Sequence, residues 1–227
     1  MAAIFPKWTN KVPTVIAIGG AATTAFVVFA IWYWFSPKFT DVGYEPVQPV
    51  QFSHALHAGE LGMDCRYCHN TVESAAHAAV PPTETCMNCH TQIKGVGADS
   101  SASGVDAYAP SLKKVAHSWE TDTPIQWVRV HLLPDYAFFN HSAHVSAGVG
   151  CASCHGRIDK METVHLAEPL SMGWCLDCHR DPEPHLRPFD QVTNMDWDLA
   201  NNDYDPSADP ARKRKVNPPQ HCSGCHY

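Results

Sequence analysis

All ten cysteines of this 227-residue chain stand in pairs, and every pair has the same form. Cys65 and Cys68, Cys86 and Cys89, Cys151 and Cys154, Cys175 and Cys178, and Cys222 and Cys225 each enclose two residues. Each pair is followed directly by a histidine: His69, His90, His155, His179 and His226. Two thiols so spaced can add across the vinyl groups of a porphyrin while the adjoining imidazole takes the iron, so CxxCH is an attachment signature for c-type haem. Paired cysteines also build zinc sites and disulfide frameworks, but neither calls for the histidines. With 15 His in the chain, chance would place one after all five pairs with odds on the order of one in a million. The expectation is five covalently bound c-type haems, each with one axial ligand from its own signature.

The sixth position on each iron decides what the iron can do. A second His closes a low-potential centre, Met raises the potential, and an open position admits substrate. Ten histidines remain for five irons. His54 and His57 in FSHALH, and His141 and His144 in FNHSAH, precede signatures with the same His-x-x-His spacing. Residues three apart share one side of a helix, so such a segment can reach two haems and hold them close together. His77, His131 and His165 are the next candidates, with Met161 and Met172 as alternatives to His165; packing is the ordinary role of either Met. His221 adjoins Cys222 and cannot fold over its own haem. His117 and His185 lack repeat support and read as surface or propionate contacts. The fifth haem has no assigned distal ligand and has to be covered by residues from elsewhere in the chain or by another subunit. No catalytic constellation accompanies these residues.

The elements that must position them repeat as well. Phe52, His54 and His57 align with Phe139, His141 and His144, and each unit continues through a further His and a Pro to a second signature. The chain therefore holds a duplicated two-haem unit, at about 52–90 and 139–179. Between the units, Thr91 to Gly104 is Gly- and Ser-rich and reads as an exposed loop. Tyr108 to Trp119 fits a helix with Leu112, Val115 and Trp119 on one side. IQWVRVHLL from Ile125 to Leu133 reads as a short strand or an extended wall. The tail is rich in Pro, Asp and Asn and carries a basic run from Arg212 to Lys215, read as a solvated turn.

Ahead of all this, residues 14–35 form 22 uncharged residues, TVIAIGGAATTAFVVFAIWYWF. As a helix they would span about 33 Å, enough to cross a bilayer. Lys7 and Lys11 favour an inside N-terminus, and Trp32, Tyr33 and Trp34 suit the opposite interface. A cleaved signal peptide is the competing reading; the bulky aromatic end without a small-residue cleavage site favours an uncleaved anchor. The division expected is a cytoplasmic N-terminus at 1–13, a span at 14–35, a linker at 36–50 and a haem domain at 51–227. C-type haem is attached outside the bacterial cytoplasm, so the haem domain is expected in the periplasm, held by a single pass at the cytoplasmic membrane.

From Asp41 onward 13 Lys and Arg face 23 Asp and Glu, a formal charge of −10, which argues against a nucleic-acid surface. Only about 190 residues remain to wrap five haems, so the macrocycles must supply much of the buried apolar surface. The fold class expected is mainly α and irregular, haem-dominated, with little β structure and one N-terminal membrane helix.

The FxHxxH segments ahead of CxxCH resemble class III multihaem cytochromes c, in which such paired His ligate neighbouring haems. Over nearly the whole chain, the single span, the five signatures, WVRVHLLPDYAFFNHSAHVSAGVGC at Trp127 to Cys151 and MGWCLDCHR at Met172 to Arg180 resemble the membrane-anchored pentahaem subunits of alternative complex III. That resemblance implies an electron-transfer subunit of a quinol:electron-acceptor oxidoreductase. The implied partners are NrfD-like integral membrane subunits that handle quinol, an iron–sulfur subunit, and a monohaem cytochrome c or terminal oxidase as acceptor. Two other readings remain open: a stand-alone quinol dehydrogenase of the NapC/NrfH kind, and a multihaem reductase with one open haem, for which the His226 site is the candidate.

Overall fold

A computed structural model describes residues 5–198, 201–210 and 215–226. It divides into two compact units, residues 1–42 and 43–227, taken here separately.

In the first unit a 3₁₀ turn, Lys7–Lys11, leads into helix α1, Val12–Trp34. Pro13 stands in the first turn, where its missing N–H costs no hydrogen bond. The helix is long and apolar enough to cross a membrane, and none of its residues is buried within the structure. It begins two residues before the apolar run and closes at Phe35, whose N–H bonds Ile31 O at 3.0 Å. Ser36 then breaks direction and the short helix α2, Pro37–Thr40, follows.

The second unit is made of short helices and irregular chain. Among the described residues it holds no sheet, only two isolated bridges, Ala137 with His226 and Val149 with Leu186. Gly43 and Tyr44 pair with Leu166 through hydrogen bonds of 2.8 and 3.0 Å, so packing of this unit begins inside the stretch expected as linker. The first FxHxxH segment forms a π-helical turn, Ala55–Glu60, packed on the 3₁₀ turn Ile158–Lys160. Helix α3, Cys65–Cys68, starts where Asp64 accepts from the Arg66 N–H at 2.8 Å, an N-cap in form. Helix α4, Thr83–His90, follows Pro82.

Helix α5 runs from Lys113 to Thr121, shorter and later than the sequence suggests. Pro110 disfavours helical conformation before it, and a 3₁₀ turn, Gly104–Ala107, fills the approach. Its buried face carries Val115, Ala116 and Ser118, while Trp119 is exposed. The IQWVRVHLL segment forms neither helix nor strand among the described residues. Instead the Gln48 amide donates to Val128 O at 2.8 Å and accepts from Val128 N at 2.9 Å, acting as a one-residue strand partner.

Helix α6, His141–Ser146, is capped by Asn140. Helices α7, Ala152–His155, and α8, Met172–Arg180, carry the third and fourth signatures, the latter capped by Ser171. The fifth lies on a 3₁₀ turn, Cys222–Gly224. In the basic run, Arg212 to Arg214 lie outside the described residues; Lys215 approaches Glu183 at 3.7 Å.

The protein core is small. Ten apolar residues are buried among those described, three of them alanines, and Leu186, 1% exposed, is the most deeply buried of the large side chains. The main cluster joins Val50, Met87 and Val115 with Cys86, Tyr108, Leu112, Ile125 and Trp127. It packs α5 against the back of the second signature, and the Thr83 and Ser118 hydroxyls meet there at 2.7 Å.

Candidate functional site

The two FxHxxH segments build the same local device. Ser53 Oγ accepts from Leu56 N at 2.9 Å, and Asn140 Oδ1 accepts from Ser142 N at 3.0 Å, so a short polar residue opens each turn. The carbonyls of these same residues accept from the second histidine: His57 Nδ1 to Ser53 O at 2.8 Å and His144 Nδ1 to Asn140 O at 2.7 Å. Phe52 stacks on His57 with ring centres 4.3 Å apart, and Phe139 on His144 at 4.7 Å, both at 25°. The same phenylalanines meet His54 and His141 edge-on at 4.8 and 4.7 Å.

Each second histidine faces the second signature of its own unit. The His57 and His90 rings are 6.3 Å apart and the His144 and His179 rings 6.2 Å apart. Two imidazoles bound to one iron from opposite sides have ring centres about 6 Å apart, given metal–nitrogen bonds of about 2 Å. The first histidine of the second unit, His141, lies 6.5 Å from His155 with the rings at 15°. Its counterpart His54 is within electrostatic reach of His69. His131 is nearer to His155, at 4.4 Å and edge-on, a spacing too short for an iron between the rings.

The outward nitrogens are fixed by backbone carbonyls, which can only accept. His69 Nδ1 donates to Ala79 O at 2.8 Å, His90 to Ile93 O at 2.7 Å, His141 to Ala76 O at 2.9 Å, His179 to Pro219 O at 2.7 Å and His226 to Tyr136 O at 3.3 Å. This sets the tautomer in which Nε2 carries the lone pair, as metal-binding imidazoles require. Burial, helped by neighbouring His69 and His57, brings His54 down to about 4; burial, with His131, His141 and other rings, brings His155 down to about 3. His131 and His144 are lowered chiefly by burial too. Neutral imidazoles are the ligand form.

These residues fit c-type haem. His57 faces His90 and His144 faces His179, with carbonyls orienting all four rings, burial favours the neutral form of His54, His131, His144 and His155, His54 Nδ1 and His131 Nε2 are buried without hydrogen-bond partners, and ten cysteines are free thiols beside them. The thiols of different signatures also approach one another. Cys65 is in hydrogen-bonding contact with Cys151, which favours the thiolate at Cys65 and holds Cys151 protonated.

Other sequence candidates are not brought to a signature histidine. His77 is exposed, and its carbonyl accepts from Thr71 Oγ1 at 2.9 Å. His165 faces Glu45 at 3.7 Å. Met161 is buried against the π turn of the first repeat, its carbonyl bonded to Ala55 N, whereas Met172 is exposed at the start of α8. His117 and His221 are exposed, and the His185 carbonyl accepts from Gly150 N. Sequence reasoning missed the carbonyl acceptors, which no residue type announces. It also missed Arg187, whose guanidinium lies near Cys151, bonds Asn194 O at 2.7 Å and stands 5.1 Å from the centre of the Trp197 ring.

Similarity to known proteins agrees with this geometry. The multihaem cytochrome c subunit of menaquinone reductase from Nitratidesulfovibrio vulgaris (strain Hildenborough) is 33% identical over 142 residues, 61% of this chain and 60% of that protein. The chain thus spans about 60% of the length of this curated relative. The family model described as cytochrome c7 and related cytochrome c matches residues 50–106 and 137–227. With both halves of the duplication inside that match, the chain belongs to the cytochrome c7 and related cytochrome c family, the multihaem cytochromes that carry electrons on covalently bound c-type haem.

Proposed function

We propose that this protein is a membrane-anchored pentahaem electron-transfer subunit of a quinol:electron-acceptor oxidoreductase of the alternative complex III kind. The observation that carries the reading is the duplicated ligand pairing, His57 with His90 and His144 with His179, at 6.3 and 6.2 Å. When bound, c-type haems supply reversible one-electron chemistry. The chain's own residues would hold that chemistry in place: backbone carbonyls orient His57, His69, His90, His141, His144, His179 and His226, Phe52 and Phe139 stack on the second histidine of each pair, and the paired cysteines would anchor the macrocycles. Irons held between His57 and His90 and between His144 and His179 would be closed to substrate, which would favour electron passage over substrate turnover. In this reading helix α1 stays uncleaved as a single-pass anchor, the haem unit lies in the periplasm, and quinol chemistry belongs to NrfD-like partner subunits with an iron–sulfur subunit. A monohaem cytochrome c or terminal oxidase receives the electrons.

Gentle solubilisation, identification of co-purifying subunits and a haem count per chain test this. Five haems per chain together with an NrfD-like integral subunit are expected. A chain that oxidises quinol without partners, or largely high-spin irons binding carbon monoxide, would overturn it.

The relative's name favours a second reading, in which electrons run toward menaquinone. Supplying the purified complex with menaquinol and an oxidised cytochrome, then with menaquinone and a reduced one, separates the two directions.

A further inference from the structure

The five signatures are not scattered over the second unit. Each touches its neighbours through identifiable contacts, and those contacts define a sequence of sites that differs from their order along the chain.

The 86–90 and 65–69 signatures meet directly. Asn88 Nδ2 donates to Tyr67 Oη at 3.1 Å, both residues lying inside their CxxCH motifs. Cys68 is within electrostatic reach of both Cys86 and Cys89. One π turn supplies His57 opposite His90 and His54 beside His69.

The 65–69 signature next meets 151–155, across the boundary between the two repeats. Cys65 and Cys151 are in thiol contact. Adjacent residues of a single segment bridge the two: Cys151 N donates to Val192 O at 3.1 Å, and the Thr193 hydroxyl donates to Asp64 Oδ2, just ahead of Cys65, at 3.0 Å. The start of α6 docks on the first repeat as well, with His141 N on Ala76 O at 3.1 Å and Ser142 N on Ala75 O at 3.2 Å.

From 151–155 the contacts lead to 175–179. Helix α6 presents His141 to His155 and His144 to His179, and Cys154 lies within reach of Cys178 and Cys175. The 175–179 signature then meets 222–226. His179 Nδ1 donates to Pro219 O at 2.7 Å, Gln220 Nε2 donates to His179 O at 3.1 Å, and Cys175 is within reach of Cys225. Among the described residues no hydrogen bond or ring contact joins 86–90 to 151–155, 175–179 or 222–226.

Resting on the pentahaem reading above, we infer that the haem sites form a single file in the order 86–90, 65–69, 151–155, 175–179, 222–226, joined between repeats at Cys65 and Cys151. The ends of the file are the second and fifth signatures, so the first signature in the chain is an interior site. Duplication then has a physical consequence: each repeat contributes a two-haem segment, and the segments abut through their first signatures.

The test is an electron-microscopy map of the solubilised holo complex that resolves each iron with its attached cysteines. The expected result is five irons whose nearest-neighbour links follow the file, with the 86–90 and 222–226 irons farthest apart. Five irons in which the 65–69 and 151–155 sites are not neighbours, or in which 86–90 neighbours any site besides 65–69, would overturn the order and leave the electron-transfer function standing. Fewer than five irons would overturn the order and the pentahaem reading together.

Discussion

His144 shows how much one side chain can decide at the residue scale. It lies in the segment that leads into the third signature, yet its ring faces His179 of the fourth at 6.2 Å. The His144→Ala protein is therefore expected to show one haem changed from low-spin to high-spin, that haem being the one attached at Cys175 and Cys178. Removing those two thiols in the same protein should abolish the high-spin signal; if it persists, the pairing is wrong. Asp64 offers a pH-dependent case. Its carboxylate bonds the Arg66 guanidinium first, then the Arg66 N–H and Thr193, and lies at about 2 against an ordinary 3.8. A folded value below the unfolded one means stability that is full above the unfolded value and lost as pH falls through the folded one. The window is thus from about pH 4 down to about pH 2, and the effect is modest because the pair is largely exposed. Asp64→Asn retains an N-cap oxygen and should lose this component. Denaturation midpoints of both proteins at pH 6, 4 and 2.5 should differ least at pH 2.5; a difference unchanged with pH would exclude the ion pair as its source.

The elements were legible from sequence to the extent that side chains dictate them. CxxCH, FxHxxH and their duplication are side-chain patterns, and in both copies a polar oxygen opens the turn and a Phe stacks on the second His. What stayed hidden depends on backbone. The first copy is a π turn and the second an α-helix, although Ser53 and Asn140 open both with a polar oxygen. The difference accompanies docking of the π turn on Ile158–Lys160, with Ala55 N bonded to Met161 O at 3.0 Å, a tertiary contact with no local signal. Gly59 marks the closest approach, since a Cβ there would strike the Asp159 carbonyl. Because the obstacle is backbone, it cannot swing aside. Gly59→Ala should destabilise the haem unit by about 1–3 kcal/mol and disturb the haem between His57 and His90, read as a lowered denaturation midpoint with a perturbed low-spin signal. An unchanged midpoint would show that the turn relaxes freely. Likewise, Val128 turns out to be held by the Gln48 side chain rather than by a neighbouring strand, and alternation alone could not reveal that.

For the whole molecule, the decisive quantity is how little apolar protein is buried. Ten buried apolar residues among those described are few for a unit spanning residues 43–227, when a domain of that length ordinarily hides about 70% of its unfolded surface. Covalent macrocycles bound at the CxxCH signatures would supply apolar area that side chains do not, so each attachment should contribute to folding according to what packs around it. The 65–69 site sits where both repeats meet, through Cys65 with Cys151, Asp64 with Thr193, and Ala75 and Ala76 with α6. The 222–226 site is fastened by Pro219 and Gln220 to His179, and by Cys225 O to Phe138 N and His226 to Tyr136 O, to the second repeat and the residues just ahead of it. Replacing Cys222 and Cys225 with Ser should therefore give a protein that keeps four haems and resists protease nearly as the parent does. Replacing Cys65 and Cys68 should loosen both repeats, with further haems lost and cleavage on either side of the join. Haem content by mass spectrometry and limited proteolysis of the two variants read this directly. If both variants keep four haems and the same protease resistance, the first signature is not the keystone between the repeats, and stability is spread evenly over the five sites.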